Sequence, residues 1–241
     1  MRKFGLIGYP LGHSFSPEYF KNKFLTASIE GCRYDAYPLS SLVEVKSLLE
    51  DPEMCGLNVT IPYKQSILPF LDGLSPEARE MGAVNTLVRE DRGWIGCNTD
   101  IIGFKETLPV MPDPTKKAII LGTGGASRAV EFVFRQLGIH VIKVSRIRKK
   151  DILNYQELSK EIIDSAQFIV NTTPLGMFPN VEDCPDIPYE WVNQNHVCYD
   201  LIYNPAETMF MTLAQNRGAR VLNGYAMLVA QAEASWRLWN D

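Results

Sequence analysis

Short, almost uninterrupted apolar runs punctuate the chain at residues 4–9, 56–60, 118–121, 141–144, 168–170 and 197–201. Runs of this length suit strands buried on both faces, as in a parallel sheet. Stretches with helical spacing lie between them. Residues 18–28 follow Ser16-Pro17, which read as an N-cap residue and a proline at the first helical position. Residues 128–137 run up to Gly138, a helix stop. Residues 225–239, preceded by Gly224, form another helical pattern, with Met227, Leu228, Trp236, Leu238 and Trp239 available for packing. The alternation predicts an α/β fold. Pro109-Val110-Met111-Pro112-Asp113-Pro114 cannot continue a helix and suits a stiff linker, so a boundary is expected there. No internal repeat or low-complexity tract is visible.

Composition narrows the class. The 241 residues are 46% hydrophobic and 22% charged, which excludes a disordered chain. At that length the prior is one large domain or two small ones. The net charge of −4 carries no basic excess of the kind nucleic-acid binders show, so no nucleic-acid partner is expected. The five cysteines, Cys32, Cys55, Cys97, Cys184 and Cys198, include no C-x-x-C pair and read as free thiols in a reducing compartment. No stretch is long and apolar enough for a membrane span, and glycines and a proline break the N-terminal apolar run too early for a signal peptide. The expected location is the cytoplasm, and no metal site is expected.

Candidate chemistry begins where 118–121 runs into Gly122-Thr123-Gly124-Gly125-Ala126-Ser127-Arg128 and a helical pattern. Strand, glycine loop and helix make a dinucleotide site: the glycines admit the pyrophosphate and the helix start supplies free N–H groups. Ser127 occupies the third position of G-x-G-x-x-G, so the fingerprint is a variant. An NAD site places an acidic residue about 20 residues on. Here stand Ser145-Arg146, followed by Arg148, Lys149 and Lys150, and a basic turn of this kind favours the 2′-phosphate of NADP.

A candidate reaction centre lies earlier. Asn58 and Thr60, two apart in a strand, share a face, and Ile61-Pro62-Tyr63-Lys64 opens a new element. Gly96-Cys97-Asn98-Thr99-Asp100 is a second polar cluster. A lysine and an aspartate at converging strand ends could make a proton-transfer pair, although taken alone Lys64 reads first as a solvated helix-start lysine and Asp100 as an N-cap. Ser14 and Ser16 place two hydroxyls at a helix start, where they either cap it or bind a carboxylate. His13 beside them is as readily structural as functional. Gln231 interrupts the apolar stretch 226–232 and needs a partner.

Taken in order, these segments resemble the NADP-dependent shikimate dehydrogenase family. The resemblance rests on His13-Ser14-Phe15-Ser16-Pro17, Asn58-Val59-Thr60-Ile61-Pro62-Tyr63-Lys64, Gly82-Ala83-Val84-Asn85-Thr86, Asn98-Thr99-Asp100-Ile101-Ile102-Gly103 and Gly122-Thr123-Gly124-Gly125-Ala126. Asn171-Thr172-Thr173-Pro174-Leu175-Gly176-Met177, Asp200-Leu201-Ile202-Tyr203-Asn204-Pro205 and Gly224-Tyr225-Ala226-Met227-Leu228 with Gln231 complete it. It implies a substrate domain over 1–103 and 223–241 and a Rossmann-like NADP domain over 104–222, with the last helix returning to the first domain. It implies Lys64 as general acid/base with Asp100 as its partner, and Ser14 and Ser16 on the substrate carboxylate. Asn58, Thr60, Asn85, Tyr203 and Gln231 would take the rest of the substrate. Gly122, Thr123, Gly124, Gly125 and Ala126 would hold the pyrophosphate, Ser145, Arg146 and Lys150 the 2′-phosphate end, and Leu201 and Gly224 the nicotinamide. The family's Asn-Arg-Thr is Ser145-Arg146-Ile147 here, so the Thr contact is lost. The implied reaction interconverts 3-dehydroshikimate and shikimate in a monomer or homodimer. The competing readings are a quinate/shikimate dehydrogenase using NAD, a non-catalytic nucleotide-binding regulator of the same fold, and a methyltransferase.

Overall fold

The computed structural model describes residues 1–12 and 14–240; His13 and Asp241 lie outside the described residues. The chain divides into two compact units, Met1–Thr99 with Gln231–Asp241, and Asp100–Ala230. Among the described residues, twelve strands form two six-stranded sheets, one in each unit.

The first unit holds β1 (Arg2–Gly8), β2 (Cys32–Pro38), β3 (Met54–Val59), β4 (Gly73–Leu74), β5 (Thr86–Glu90) and β6 (Gly93–Cys97), in the order β2-β1-β3-β5-β6-β4. Strand β1 pairs parallel with β2 and β3, whereas β5 runs antiparallel to β3 and β6. This sheet is therefore mixed, not parallel throughout as its apolar runs suggest. Two residues join β5 to β6, and so short a connection permits only antiparallel pairing. Side chains alternate across β1: Phe4 and Leu6 enter a core with Phe20, Tyr34 and Trp239, while Ile7 enters another with Leu57, Leu87 and Trp94. Three helices, α1 (Phe15–Thr26), α2 (Val45–Leu49) and α3 (Pro76–Met81), belong to this unit. The N-cap of helix α1 lies two residues before the expected one. Ser14 stands at the N-cap without a side-chain capping bond, and Pro17 falls third in the helix, where a missing N–H costs nothing.

The second unit holds β7 (Lys117–Leu121), β8 (His140–Ser145), β9 (Ile152–Asn154), β10 (Ala166–Asn171), β11 (Val197–Asp200) and β12 (Arg220–Leu222). All pairings are parallel, in the order β12-β11-β10-β7-β8-β9. Counted from β7, this is the doubly wound arrangement whose strand order reverses between β7 and β10. Its helices are α4 (Asp100–Glu106), α5 (Gly125–Gln136), α6 (Lys160–Asp164) and α7 (Met209–Gln215), and α8 (Tyr225–Leu238) begins here. One face of the sheet buries Phe134 against Phe104 and Phe168, with ring centroids 5.3 Å apart in each pair. The proline-rich segment at 109–114 lies inside this unit, between α4 and β7, and is not a boundary. Phe104 commits α4 to the second unit's core before the prolines begin.

Candidate active site

The glycine loop stands at the carboxyl end of β7, beside the point where strand order reverses. Gly122 has φ +111°, and a Cβ there would lie 2.6 Å from Thr172 Oγ1, so both backbone and space require glycine. A Cβ on Gly124 would meet nothing within 4 Å, and Thr123 and Gly124 are not buried, so the loop opens outward as α5 begins. Ser127 explains the departure from the three-glycine fingerprint. Its buried hydroxyl donates to the Gly122 carbonyl at 2.9 Å and closes the loop from within.

The basic turn follows β8. Arg146, Arg148, Lys149 and Lys150 are exposed. Ser145 donates its hydroxyl to the Ile147 carbonyl at 2.5 Å, which tightens the turn around Arg146. Arg148 is ion-paired with Glu157, which also accepts from the Asn154 N–H at 2.8 Å. Glu131, the acidic residue between loop and turn, is held by Lys143 at 3.1 Å and Arg135 at 2.6 Å.

At the carboxyl end of β11, Asp200 is fully buried. Its Oδ1 accepts from Asn171 Nδ2 at 3.1 Å and the Ile202 N–H at 3.0 Å, and its Oδ2 from the Thr208 hydroxyl at 2.6 Å. Burial pushes the carboxyl up to about 6, with the three donors opposing. The carboxylate thus ties the ends of β10 and β11 together and fixes the backbone just beyond Leu201. Leu201 and Gly224 are adjacent: the Gly224 N–H donates to the Ile202 carbonyl at 2.9 Å, and a Cβ on Gly224 would lie 2.1 Å from the Leu201 carbonyl oxygen. The Tyr203 phenol is pushed up by burial.

In the first unit, Asn58, Asn85 and Gln231 come together from β3, the β5 approach and α8. Asn85 Nδ2 donates to Thr99 Oγ1 at 3.0 Å and to Gln231 Oε1 at 3.4 Å, and Asn85 Oδ1 accepts from the Thr99 N–H at 2.7 Å. Asn58 Nδ2 donates to Ser235 Oγ at 2.9 Å, and Asn58 Oδ1 accepts from Tyr34 at 2.8 Å. The Ser16 hydroxyl bonds the Tyr34 phenol, whose ionisation burial pushes well up. Ser16 is thereby joined to Asn58 through one ring. Among the described residues, no buried side-chain nitrogen or oxygen lacks a partner.

The remaining candidates are placed as follows. Thr60 follows β3, where a Cβ on Gly8 would touch its methyl at 2.4 Å. Lys64 sits half-buried in a run of turns, with its carbonyl accepting from the Val84 N–H at 2.8 Å; no helix starts there. Asp100 is the buried first residue of α4, inside the helix and not its cap. Ser14 precedes α1. The sequence did not single out Tyr34, Thr86, Ser235, Asn171 or Asp200 as site residues. Ser235 was detectable as the residue one helical turn beyond Gln231, and Asp200 as a charge ending an apolar strand. Among the described residues, no cluster of three metal-ligating side chains occurs, and no helix is long and apolar enough to cross a membrane.

A doubly wound parallel sheet with a glycine loop and basic turn, in one chain with a second α/β unit that holds a buried polar cluster, defines a two-unit dinucleotide-binding oxidoreductase. The family model for the shikimate dehydrogenase substrate binding domain matches residues 6–87. A shikimate dehydrogenase (NADP(+)) of Desulforamulus reducens is 34% identical, over 98% of this chain and 88% of the relative. The shikimate 5-dehydrogenase of Thermus thermophilus, solved in complex with NADP(H) and shikimate, has a TM-score of 0.87 at 31% identity, covering 99% of this chain and 93% of its own. The quinate dehydrogenase of Corynebacterium glutamicum in complex with NAD has a TM-score of 0.84 at 26% identity, with 99% and 93% covered. The chain belongs to the shikimate dehydrogenase family.

Proposed function

We propose that this protein catalyses the reversible NADPH-dependent reduction of 3-dehydroshikimate to shikimate, supplying chorismate and aromatic amino-acid synthesis. The observation that carries the reading is the convergence of Asn58, Asn85 and Gln231, far apart in sequence, on one buried hydrogen-bonded cluster. A substrate rich in ring hydroxyls calls for donors and acceptors held at fixed positions. The second unit supports the cofactor: Gly124 opens on empty space where α5 begins, and Arg146 and Lys150 are exposed on the turn after β8.

When bound, NADPH supplies hydride to the ring ketone. Lys64 gives the proton to the reacting oxygen and removes it in the reverse direction. Asp100 accepts a substrate hydroxyl. Ser14 and Ser16 receive the substrate carboxylate at the start of α1, where free N–H groups favour negative charge. Asn58, Thr60, Asn85, Gln231 and Tyr203 orient the ring. The Gly122–Ala126 loop would hold the pyrophosphate, Arg146 with Ser145 and Lys150 the 2′-phosphate, and Leu201 with Gly224 the nicotinamide end. The first unit is the substrate domain and the second the cofactor domain. The protein works in the cytoplasm, as a monomer or homodimer, and its five free cysteines suit a reducing compartment.

The test is the absorbance of reduced nicotinamide when shikimate or quinate is supplied with NADP or NAD. Turnover of shikimate with NADP well above the other three combinations is expected. Preferential turnover of quinate with NAD overturns the substrate and cofactor assignment, and no turnover in any combination overturns the enzymatic reading.

A further inference from the structure

Ser235 is fully buried on α8, and its hydroxyl meets four polar groups: Asn58 Nδ2 at 2.9 Å, Thr86 Oγ1 at 2.8 Å, Thr99 Oγ1 at 3.1 Å and the Gln231 carbonyl at 3.0 Å. A hydroxyl has one proton and two lone pairs, so the direction of each bond is constrained by its neighbours. The Thr99 N–H fixes Asn85 Oδ1 as the acceptor end of that amide. Asn85 Nδ2 therefore donates to Thr99 Oγ1. The Ser235 proton goes to the Gln231 backbone carbonyl, which can only accept, so Ser235 Oγ is an acceptor for Asn58 Nδ2 and for the threonine hydroxyls beside it. The result is a hub: one buried hydroxyl joins Asn58 on β3, Thr86 on β5 and Thr99 to the turn of α8 that carries Gln231.

The hub reaches the proposed substrate groups. The second Asn85 Nδ2 proton faces Gln231 Oε1, which makes that oxygen the acceptor and leaves Nε2 as the donor end of Gln231. One Asn58 Nδ2 proton goes to Ser235 and the other toward the Asn85 carbonyl and Thr86, so that amide is also held in one orientation. Removing the Ser235 hydroxyl takes an acceptor from Asn58 Nδ2 and from the threonine hydroxyls, and unties the turn of α8 that carries Gln231 from β3 and β5.

We propose that Ser235 is a positioning residue: it ties Asn58, Thr86 and Thr99 to the turn of α8 that carries Gln231, and so holds Asn58, Asn85 and Gln231 at fixed positions for the ring hydroxyls of the substrate. The proposal rests on the shikimate reading above. It makes Ser235 act on substrate recognition through other side chains, without touching substrate, cofactor or the reacting oxygen.

The test is steady-state kinetics of Ser235→Ala with shikimate and NADP varied separately, alongside thermal unfolding. The expected result is a KM for shikimate raised about 5–10-fold, as for a lost hydrogen-bond network member. KM for NADP and kcat stay within about 2-fold, since one network is loosened and no reacting group is lost. Where the alanine variant does not fold, Ser235→Cys fills similar space with a poor hydrogen-bonding group and is expected to give the same split. An unchanged KM for shikimate, or equal rises in both KM values, overturns the positioning role. If the unmodified protein does not turn over shikimate, the functional reading fails and this proposal falls with it. If it does, a null result in the variant condemns only the role of Ser235.

Discussion

Asp200 offers a prediction whose size follows from its surroundings. Burial raises its carboxyl from an ordinary 3.8 to about 6. A group whose folded value is raised binds its proton more tightly in the native state, so it favours folding below the unfolded value and loses that contribution as pH rises through the folded one. At about 1.4 kcal/mol per pH unit, the full difference is about 3 kcal/mol, of which about 2 kcal/mol falls between about pH 4.5 and 7.5. Asp200→Asn should abolish this dependence while keeping the geometry. The amide oxygen replaces Oδ1 for Asn171 Nδ2 and the Ile202 N–H, and the amide nitrogen turns a donor toward Thr208 Oγ1. Neighbouring titratable groups do not interfere in this range: the Cys198 thiol is pushed up to about 12, and the Tyr189 phenol, beside Cys184, is also raised. Urea unfolding at several pH values measures both proteins. The stability of the variant relative to the unmodified protein should rise by about 2 kcal/mol from about pH 4.5 to 7.5. Parallel pH profiles for the two proteins would refute the reasoning, because the carboxyl would then titrate alike in the folded and unfolded chains.

Lys64→Ala is expected to lower kcat by about 10²-fold or more with little change in cofactor affinity, measured by steady-state turnover and NADP titration; near-full turnover sinks Lys64 as the proton donor. Arg146→Ala should weaken NADP(H) binding and leave NAD(H) unchanged, read by fluorescence titration of both reduced cofactors, and equal loss would mean that Arg146 does not read the 2′-phosphate. Gly224→Ala forces a Cβ to within 2.1 Å of the Leu201 carbonyl oxygen, so the backbone on one side must move. Overpacking of this kind costs about 1–3 kcal/mol, and the variant should show a lower melting temperature together with a raised KM for NADP.

The six apolar runs were legible as strands because most are buried on both faces, which leaves a nearly continuous hydrophobic signal; β8 is only half-buried and was legible through Val141, Ile142 and Val144. Strand β2 was not, because it lies at the edge of its sheet and carries Arg33 and Asp35 among its apolar positions. Strands β9 and β12 have three residues each, too few for any period to register. The glycine loop and basic turn were legible since each is contiguous in sequence. The start of α1 was misplaced because proline is tolerated throughout the first helical turn, so its presence does not fix which residue is the cap.

The polar cluster of the first unit was half legible for a different reason. Gln231 stands out because it interrupts an apolar stretch, Asn58 because it shares a strand face with Thr60, and Asn85 only through the family resemblance. Thr86 and Ser235 do not, since a buried hydroxyl with a nearby carbonyl is commonplace in any helix or strand. Yet an amide alone does not determine which of its ends faces a ligand; rotation exchanges its donor and acceptor at almost no cost in shape. Fixed partners remove that ambiguity. Asn85 is pinned by a backbone N–H that cannot rotate and in turn orients Gln231, Tyr34 and the Asn85 carbonyl orient Asn58, and Ser235 joins Asn58 and the threonines to the turn of α8 that carries Gln231. If this cluster receives a polyhydroxylated ring, as proposed, recognition depends as much on residues that never reach the ring as on those that do. Substituting one of these hydroxyls should blur the choice among substrates with different ring hydroxyl patterns before it slows the chemistry.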